Sequence, residues 1–503
     1  MINDVFNSDF IPATIGGESL YGYPMRTVIS ESNNTNWDKA VLAMANVNIP
    51  YTYEKSLSLP YNVLHTDLKW STNTEDKKRA SKYIESILLM LRTKVLLNNG
   101  DLSKTEIVWF YPASMTQNRF NKFKAEWENT FATLFGAPIS NIIAASESVA
   151  PYYYHKAKKG ATSTVVSVDI GGGTTDVLIV DKGEPKYLTS FRFAANTIFG
   201  DGYSYDSDSN GFVNKYKDII TNQLETNNLR GLKAVLKSVL DKRVSTDVIA
   251  FLFSLASNKE IKKEKVEINF AKMLADDNRG KYVVILFYVA IVYHIAKLMK
   301  AKGFDMPRHM TFSGNGSKVL NILSTNDATL VRLTKIIFEE IYAQSYSIDG
   351  LDIIRPANSK ESTCKGGIIL TPFQSQDYGE IKDMKTILIG TDNEKFADVH
   401  MTYNDVTEAD LDSVVDVIKE YIEFTFKLDK KFSFYDNFDV DRSIMNKVKD
   451  LCYRDIRTYL ENGLAIKKSE IAQDGADDNL EETLFFYPLV GIINAVVRNI
   501  YQM

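Results

Sequence analysis

A glycine-rich turn between two apolar segments is the feature of this sequence best suited to chemistry. An apolar strand predicted at residues 164–169 ends in Asp169, three glycines turn the chain, and a second apolar strand is predicted at 176–180. Three glycines let the backbone approach a ligand with its N–H groups pointing inward, which suits phosphate oxygens. An acid just before such a turn can hold a hydrated Mg²⁺ or orient an attacking water. The alternative is a plain hairpin, which needs fewer glycines and no flanking aspartates.

Four other segments stand in chain order around this turn. They are Ile107-Val108-Trp109-Phe110-Tyr111-Pro112-Ala113 with Gln117-Asn118-Arg119, Ser146-Glu147-Ser148-Val149-Ala150, Phe312-Ser313-Gly314-Asn315-Gly316-Ser317-Lys318, and Ser362-Thr363-Cys364-Lys365-Gly366-Gly367. Together with the glycine turn they resemble the motifs of the actin, heat-shock chaperone and sugar kinase ATPase superfamily, and most closely the DnaK-type nucleotide-binding domain. The resemblance covers about residues 20–372. It implies a two-lobed, actin-like α/β fold whose ribonuclease H-like sheets are flanked by helices.

The resemblance also implies a role for each motif, with ATP or ADP and Mg²⁺ as cofactors. Asp169 would place Mg²⁺ and the attacking water, and Asp176 would support it from behind. The phosphates would lie against Gly171, Gly172, Gly173, Thr174 and Thr175. Ribose and adenine would lie against Gly314, Asn315, Gly316, Ser317 and Lys318. Lys318 stands where an arginine often stacks on the base, and an ammonium stacks less well than a planar guanidinium. The glycine of the last motif would let a helix pack tightly.

For two further charged residues, Glu147 and Lys69, the sequence allows both a catalytic role and a structural one. Glu147 would be the second carboxylate of the catalytic centre, or an acid that the dipole favours at the start of a helix. Lys69, within His65-Thr66-Asp67-Leu68-Lys69-Trp70, stands roughly where the chaperones keep a catalytic lysine, or it is a solvated surface residue.

One departure from the family concerns its first phosphate motif, Asp-x-Gly-Thr. Nothing before residue 60 resembles it, and Leu388-Ile389-Gly390-Thr391 has leucine where the aspartate belongs. We therefore expect the chain to be part of a longer polypeptide or a degenerate ATPase, with weak nucleotide binding and little hydrolysis. Three functions remain open. They are an ATP-binding module that transmits lobe closure to a protein partner, an actin-like filament or segregation protein, and a scaffold that has lost nucleotide.

The elements that must position these residues alternate between strands and helices up to about residue 372. Strands are predicted at 27–30, 107–111, 140–144, 310–312 and 368–370. Two further strands, 385–389 and 398–403, are predicted to pair with each other. Helices are predicted at 75–97, 117–135, 147–157, 407–427 and 442–462, the last ended by Gly463. The predicted divisions are a first lobe (1–157), a second lobe (158–202 and 308–372), a helical insertion (203–307) and a mostly helical C-terminal region (373–503).

Composition excludes several classes of protein. The 503 residues carry 59 Lys and Arg against 64 Asp and Glu, a net charge of −5 that argues against a nucleic-acid binder. Cys364 and Cys452 are the only cysteines, too few for a disulfide framework or a cysteine zinc site, and they favour a reducing cytoplasm. The five histidines show no metal-ligand spacing. No secretory signal is recognised at the N-terminus.

Two apolar segments have a membrane alternative. The stretch 282–295 is shorter than the roughly 20 residues that a span needs, so a buried helix is favoured. Residues 488–501 form one apolar helical face with Arg498 as the basic residue, whereas lipid-binding helices are rich in Lys and Arg. Packing against the body or another subunit is therefore favoured over a lipid anchor. The helical insertion and the C-terminal helices suggest a protein partner, with self-association as a further possibility.

Overall fold

The computed structural model describes residues 25–32, 42–48, 62–65, 68, 71, 73–112, 115, 117–159, 164–204, 206–346, 350–356, 359–369, 401–474, 480 and 482–503. The chain divides into two compact units. The first comprises Met1–Gly100 and Ser204–Met273, and the second comprises Asp101–Tyr203 and Leu274–Met503.

Strands and helices are numbered in chain order over the described residues. The strands are β1 (Met25–Ser32), β2 (Leu42–Asn48), β3 (Asn62–His65), β4 (Ile107–Tyr111), β5 (Ile142–Ser146), β6 (Val165–Ile170), β7 (Thr175–Asp181), β8 (Glu184–Phe191), β9 (His309–Ser313) and β10 (Asp352–Ile354). The helices are α1 (Thr74–Leu97), α2 (Gln117–Phe135), α3 (Val149–Lys159), α4 (Ala195–Phe199), α5 (Gly211–Thr226), α6 (Arg230–Asp241), α7 (Ser245–Ser254), α8 (Lys259–Lys263), α9 (Phe270–Ala275), α10 (Lys281–Ala301), α11 (Leu320–Leu323), α12 (Asp327–Tyr342), α13 (Ser359–Ile369), α14 (Glu408–Phe432), α15 (Phe434–Phe438), α16 (Met445–Cys452), α17 (Ile456–Asp474) and α18 (Phe486–Asn499).

The first unit combines a small sheet with helices. Its three strands are antiparallel in the order β2-β1-β3. Helix α1 begins where the Asn73 side chain accepts the N–H of Glu75, and it ends at Asn98, before Asn99 takes a φ of 56°. Asn210 caps α5 in the same way by accepting the N–H groups of Phe212 and Val213. Both helix starts therefore follow ordinary capping chemistry.

The second unit is built on a five-stranded sheet in the order β10-β9-β6-β7-β8. β7 is antiparallel to β6 and to β8, whereas β9 is parallel to β6 and β10. This order and these directions are those of a ribonuclease H-like sheet. A two-residue turn with positive φ at Lys182 and Gly183 joins β7 to β8, and such turns match the twist of the strands. The α/β class with flanking helices is confirmed.

Helix α10 is the most apolar helix of the second unit. By length and composition it could cross a membrane, but 94% of its most apolar window is buried inside the protein. Helices α12, α14 and α18 pack against it, and Tyr421 of α14 donates a hydrogen bond to the Leu286 carbonyl at 2.6 Å. Burial lowers the pKa of its His294 to about 3, so this histidine is neutral. The predicted buried helix is confirmed.

The described part of the C-terminal region is mostly helical, as predicted. Thr407 and Asp410 form a capping box at the start of α14, with the Thr407 N–H donating to Asp410 Oδ2 at 2.9 Å. The apolar face of α18 is buried within the second unit, so the predicted packing on the body is confirmed. The buried residues of that face include Leu489, Ile492, Ile493, Val496 and Val497.

Several predicted boundaries are wrong. Residues 368–370 were expected to form a strand, but Ile368 and Ile369 end helix α13. The segment 442–462 is not one helix, because the chain breaks between α16 and α17, where Asp455 has a φ of 55°. Gly463 does not end a helix: it lies inside α17, where a Cβ atom would sit 2.9 Å from the Tyr487 Cβ.

Other differences are smaller. β5 and α3 begin two residues later than predicted, and β2, β3, β8 and β10 were not predicted. From residue 195 to residue 301 the described chain holds helices and no strand, as predicted for the insertion. The predicted strand 385–389 and residues 398–400 lie outside the described residues, and Tyr403 belongs to a short 3-10 helix rather than a strand.

Candidate functional site

The glycine turn joins β6 to β7 as predicted and leaves space in front of it. The Gly171 N–H donates to the Thr174 carbonyl at 2.8 Å, which closes the turn. Gly172 and Gly173 are exposed, and a Cβ atom placed on Gly173 would meet nothing within 4 Å. The backbone of this phosphate loop (residues 171–174) is therefore accessible to a ligand.

A row of four polar residues crosses the sheet beside the phosphate loop. Asp169 pairs in register with Asp176 on one side and with Ser313 on the other, and Asp176 pairs with Ser190. Residues paired in this way present their side chains on the same face of a sheet. Asp176 and both serines are buried, whereas Asp169 is half-buried. The least buried member of the row is therefore Asp169, the carboxylate that the sequence assigned to magnesium and water.

Ser190 and Ser313 were not predicted as site residues. The Ser190 Oγ is buried and has no hydrogen-bond partner among the described residues. The Thr174 hydroxyl donates to Asp176 Oδ2 at 3.5 Å. A serine in a strand carries no signal of its own, so only the register of β7, β8 and β9 reveals that these hydroxyls line up with the two aspartates.

The predicted adenosine loop (residues 314–318) packs directly on the phosphate loop. Gly314 has a φ of 80°, and a Cβ atom on it would lie 2.1 Å from Asp169 Oδ1. A Cβ atom on Gly316 would lie 2.1 Å from the Gly171 carbonyl oxygen. The Ser317 hydroxyl donates to the Gly314 carbonyl at 2.7 Å, which fixes the turn. The two glycine motifs therefore touch backbone to backbone, with Asp169 between them.

Lys318 lies in the short 3-10 helix Asn315–Val319 that follows this contact. The residue is exposed as a whole, yet partial burial of its ammonium lowers its pKa. A cation next to a surface that removes some of its water interacts more strongly with an aromatic ring. Lys318 is thus an exposed cation at the end of the adenosine loop, and its contact with a base stays a prediction.

A segment that was not predicted from the sequence donates hydrogen bonds to the carbonyl groups of the phosphate loop. The N–H of Asn196 donates to the Gly172 carbonyl at 2.8 Å, and the N–H of Ala195 donates to the Gly171 carbonyl at 3.3 Å. The Thr175 hydroxyl donates to the Phe193 carbonyl at 2.6 Å. We call residues 191–196 the backing segment. It begins at Phe191, the last residue of β8, and because β8 itself was not predicted, no sequence signal located the segment.

Of the two residues Glu147 and Lys69, the structure describes only Glu147. Glu147 lies in the turn between β5 and α3, half-buried, and its N–H donates to the Tyr111 carbonyl at 2.9 Å. It therefore precedes helix α3 rather than opening it, at the end of the two-stranded parallel sheet of β4 and β5. Lys69 lies outside the described residues.

The last glycine motif packs as the sequence predicted. Gly366 of α13 meets Ala150 of α3 so closely that a Cβ atom would lie 1.8 Å from the Ala150 carbonyl oxygen. A Cβ atom on Gly367 would lie 2.3 Å from the Phe110 ring. These contacts join the helix after Glu147 to the helix after β10 without intervening side chains.

The described residues contain no group of three or more His, Cys, Asp or Glu side chains that could hold a metal ion. Mg²⁺ does not need such a cage, since it usually keeps several waters and binds one or two carboxylates plus phosphate. Asp169, half-buried at the base of the phosphate loop with Asp176 beside it, fits this mode of binding.

No protein-family model matches this sequence, and no curated protein sequence matches it. Among solved structures, the chain is similar to MreB5 of Spiroplasma citri bound to ADP, with 13% identity, a TM-score of 0.31, and coverage of 70% of this chain and 90% of that one. It is similar to MreB 5 bound to AMPPNP from the same organism, with 14% identity, a TM-score of 0.31, and coverage of 71% and 90%. It is also similar to the ethanolamine utilization protein EutJ from Carboxydothermus hydrogenoformans, with 12% identity, a TM-score of 0.29, and coverage of 73% and 95%.

Proposed function

We propose that this chain is a nucleotide-binding module of the actin-like ATPase type, which takes ADP or ATP with Mg²⁺ at the two glycine loops. One observation carries the proposal: the phosphate loop and the adenosine loop touch backbone to backbone with the Asp169 carboxylate between them. Glycines that allow such contact on one side and leave open space on the other suit a ligand with both phosphates and a base.

Each part of the site then has a task. The N–H groups of the phosphate loop donate to phosphate oxygens, as in other backbone nests. Asp169 accepts hydrogen bonds from magnesium-bound or attacking water, and Asp176 keeps the Thr174 hydroxyl in place. Lys318 lies against the base. When bound, Mg²⁺ neutralises the charge that the phosphates bring.

We further propose that hydrolysis by these 503 residues is slow. No Asp-x-Gly-Thr segment occurs in the sequence, so one of the two phosphate clamps of the superfamily is unmatched. Charge-assisted contacts are worth about 1.5–3 kcal/mol each, so two or three missing contacts weaken binding by a factor on the order of 10² to 10⁶.

The proposal extends to partners and compartment. A protein partner would read the nucleotide state, and the helices of 204–273 and the C-terminal helices offer the surfaces for it. Ile219 and Val244 in the first of these sets are apolar and exposed. The proposed compartment is a reducing cytoplasm, because two cysteines are too few for a disulfide framework.

Titration calorimetry with ADP and ATP, with and without Mg²⁺, tests the nucleotide site. Asp169→Asn should leave the fold intact, weaken binding of the magnesium complex by about tenfold, and reduce any hydrolysis by about 10²-fold, because a positioned charge is lost. Asp181→Asn is the matched control, since Asp181 lies at the far end of β7 and only accepts from the Thr164 hydroxyl at 2.8 Å. A wild-type protein that binds neither nucleotide at millimolar concentration, or equal effects of both substitutions, would refute the proposal.

A further inference from the structure

The backing segment touches two distant parts of the chain. On one side Ala195 and Asn196 donate to the carbonyls of the phosphate loop, as described above. On the other side its first three residues contact the C-terminal helical region, nearly 300 residues further along the chain, through Glu470, Glu482 and Phe486. The segment is therefore the physical link between the nucleotide loop and the C-terminal helices.

The first contact is a stack of aromatic rings. Phe486, at the start of α18, stacks on Phe191 with ring centroids 3.9 Å apart and 18° between the planes. It also contacts Phe193, with centroids 4.8 Å apart. All three rings are buried. Aromatic pairs of this kind stabilise a fold by more than the apolar area that they bury. Because Phe191 and Phe193 flank Arg192 in sequence, the stack fixes the backbone on both sides of Arg192.

The second contact runs through the main chain. The backbone N–H of Arg192 donates to Glu482 Oε2 at 3.0 Å. The Arg192 guanidinium pairs with Glu470 Oε2 at 2.5 Å, and its Nε lies 3.8 Å from Glu482 Oε1. Glu482 thus holds the backbone of the segment, whereas Glu470 holds only the arginine side chain.

Glu482 is buried and its charge is compensated on several sides. Lys467 Nζ lies 3.5 Å from Glu482 Oε1, and the Tyr487 hydroxyl donates to the same oxygen at 3.0 Å. Burial alone would raise the pKa of Glu482, but Lys467 and Arg192 hold it below its usual value. Removing one partner from such a buried group is costly because the others lose their compensation. A carboxylate buried this deeply fixes the position of the amide that it accepts.

We propose that Glu482 and Phe486 are positioning residues for the nucleotide: they hold the backing segment, and through it the phosphate loop, in the binding conformation. The inference rests on the proposed function for its ligand. Because coupling between two sites is reciprocal, nucleotide binding should in turn strengthen the docking of the C-terminal helices. Nucleotide bound at the glycine loops would then stabilise the C-terminal helices, which are remote from these loops in sequence.

Hydrogen exchange without nucleotide tests the mechanical link. In Glu482→Gln the amides of Ala195 and Asn196 and of the phosphate loop should exchange about tenfold faster than in wild type, as expected when a hydrogen bond to a charged group is weakened. Glu470→Gln is the control, because it removes only the side-chain partner of Arg192. Loop exchange that is unchanged in Glu482→Gln would overturn the proposal.

Calorimetry with ADP tests the functional link. Phe486→Leu should lower ADP affinity about fivefold to tenfold, and it also serves if Glu482→Gln fails to fold. Phe438→Leu is the matched control, since Phe438 is buried in a separate cluster with Phe432 and Phe434. The control should lower Tm to a similar extent and leave ADP affinity unchanged.

The outcomes separate the two proposals. Equal ADP affinity in wild type and Phe486→Leu, despite a lower Tm, would mean that Phe486 is merely structural and would overturn the inference. A different result would separate them the other way. If the wild-type protein binds no ADP, but the phosphate loop exchanges faster in Glu482→Gln than in wild type, the nucleotide site is refuted and the link is supported.

Discussion

The two glycine loops of the second unit use the same residue for opposite purposes. In the phosphate loop, Gly173 faces open space, and no atom lies within 4 Å of the position that its Cβ would take. In the adenosine loop, the same test at Gly314 and Gly316 finds oxygen atoms of Asp169 and Gly171 at 2.1 Å. In the phosphate loop, glycine therefore leaves room for a ligand. In the adenosine loop, glycine leaves room for other atoms of the protein. Only the first kind of glycine points to a ligand.

The largest effect that this comparison predicts is for Gly314→Ala. The substitution forces a Cβ atom against Asp169 and the Ile170 carbonyl, at a residue whose φ is 80°. We expect a loss of about 2–4 kcal/mol in the free energy of unfolding, together with loss of ADP binding, because strain and a backbone clash add. Urea unfolding followed by calorimetry measures both. A variant as stable as wild type would show that the two loops are not in contact.

The opposite result is expected for Gly173→Ala. Its φ is not positive and nothing lies nearby, so the free energy of unfolding should change by less than about 0.5 kcal/mol. ADP affinity should nevertheless fall by about tenfold, because a methyl group keeps phosphate away from the backbone N–H groups. The same two measurements apply. If affinity were unchanged as well, the open space in front of the loop would not be the phosphate site.

The smallest effect concerns Lys318, which the adenosine loop leaves exposed. Lys318→Arg should raise ADP affinity by about twofold to threefold and leave stability unchanged, since a planar guanidinium stacks on a base better than an ammonium. Comparing ADP with ribose 5-phosphate in the same titration isolates the contribution of the base. An equal gain for both ligands would assign Lys318 to phosphate instead.

The parts of the site that were predictable are those that the sequence marks by residue type. Three consecutive glycines between apolar strands predicted the turn at residues 171–174, and the family resemblance of Gly314-Asn315-Gly316 singled out the turn after β9. The strands on either side followed from their apolar runs, to within a residue at each end. Asp169 was singled out because an acid before such a turn can hold Mg²⁺ or orient water, and Asp176 through the resemblance; their pairing in register follows once the hairpin is recognised.

The parts that were missed depend on tertiary contacts. The backing segment follows β8, and β8 begins after a turn at Lys182 and Gly183 that lacks the usual asparagine or aspartate signal. Gly463 favours a helix end by residue type, but packing against Tyr487 requires a glycine inside α17. Ile368 and Ile369 suggested a strand by their β-branched side chains, whereas the contact of Gly366 with Ala150 needs the helix to continue. For Gly463 and Gly366 the deciding partner lies on another helix, whereas β8 was missed because its turn carries a weak local signal.

The burial of α10 also has a consequence for how the protein is made. Two of the helices that cover it, α14 and α18, begin at Glu408 and Phe486, well after α10 ends at Ala301. At a synthesis rate of about 5–20 residues per second, α18 follows α10 out of the ribosome roughly 10–40 s later. During that interval the nascent chain carries a partly covered helix that is long and apolar enough to cross a membrane. A chaperone that binds this helix would therefore protect the newborn chain until α14 and α18 emerge.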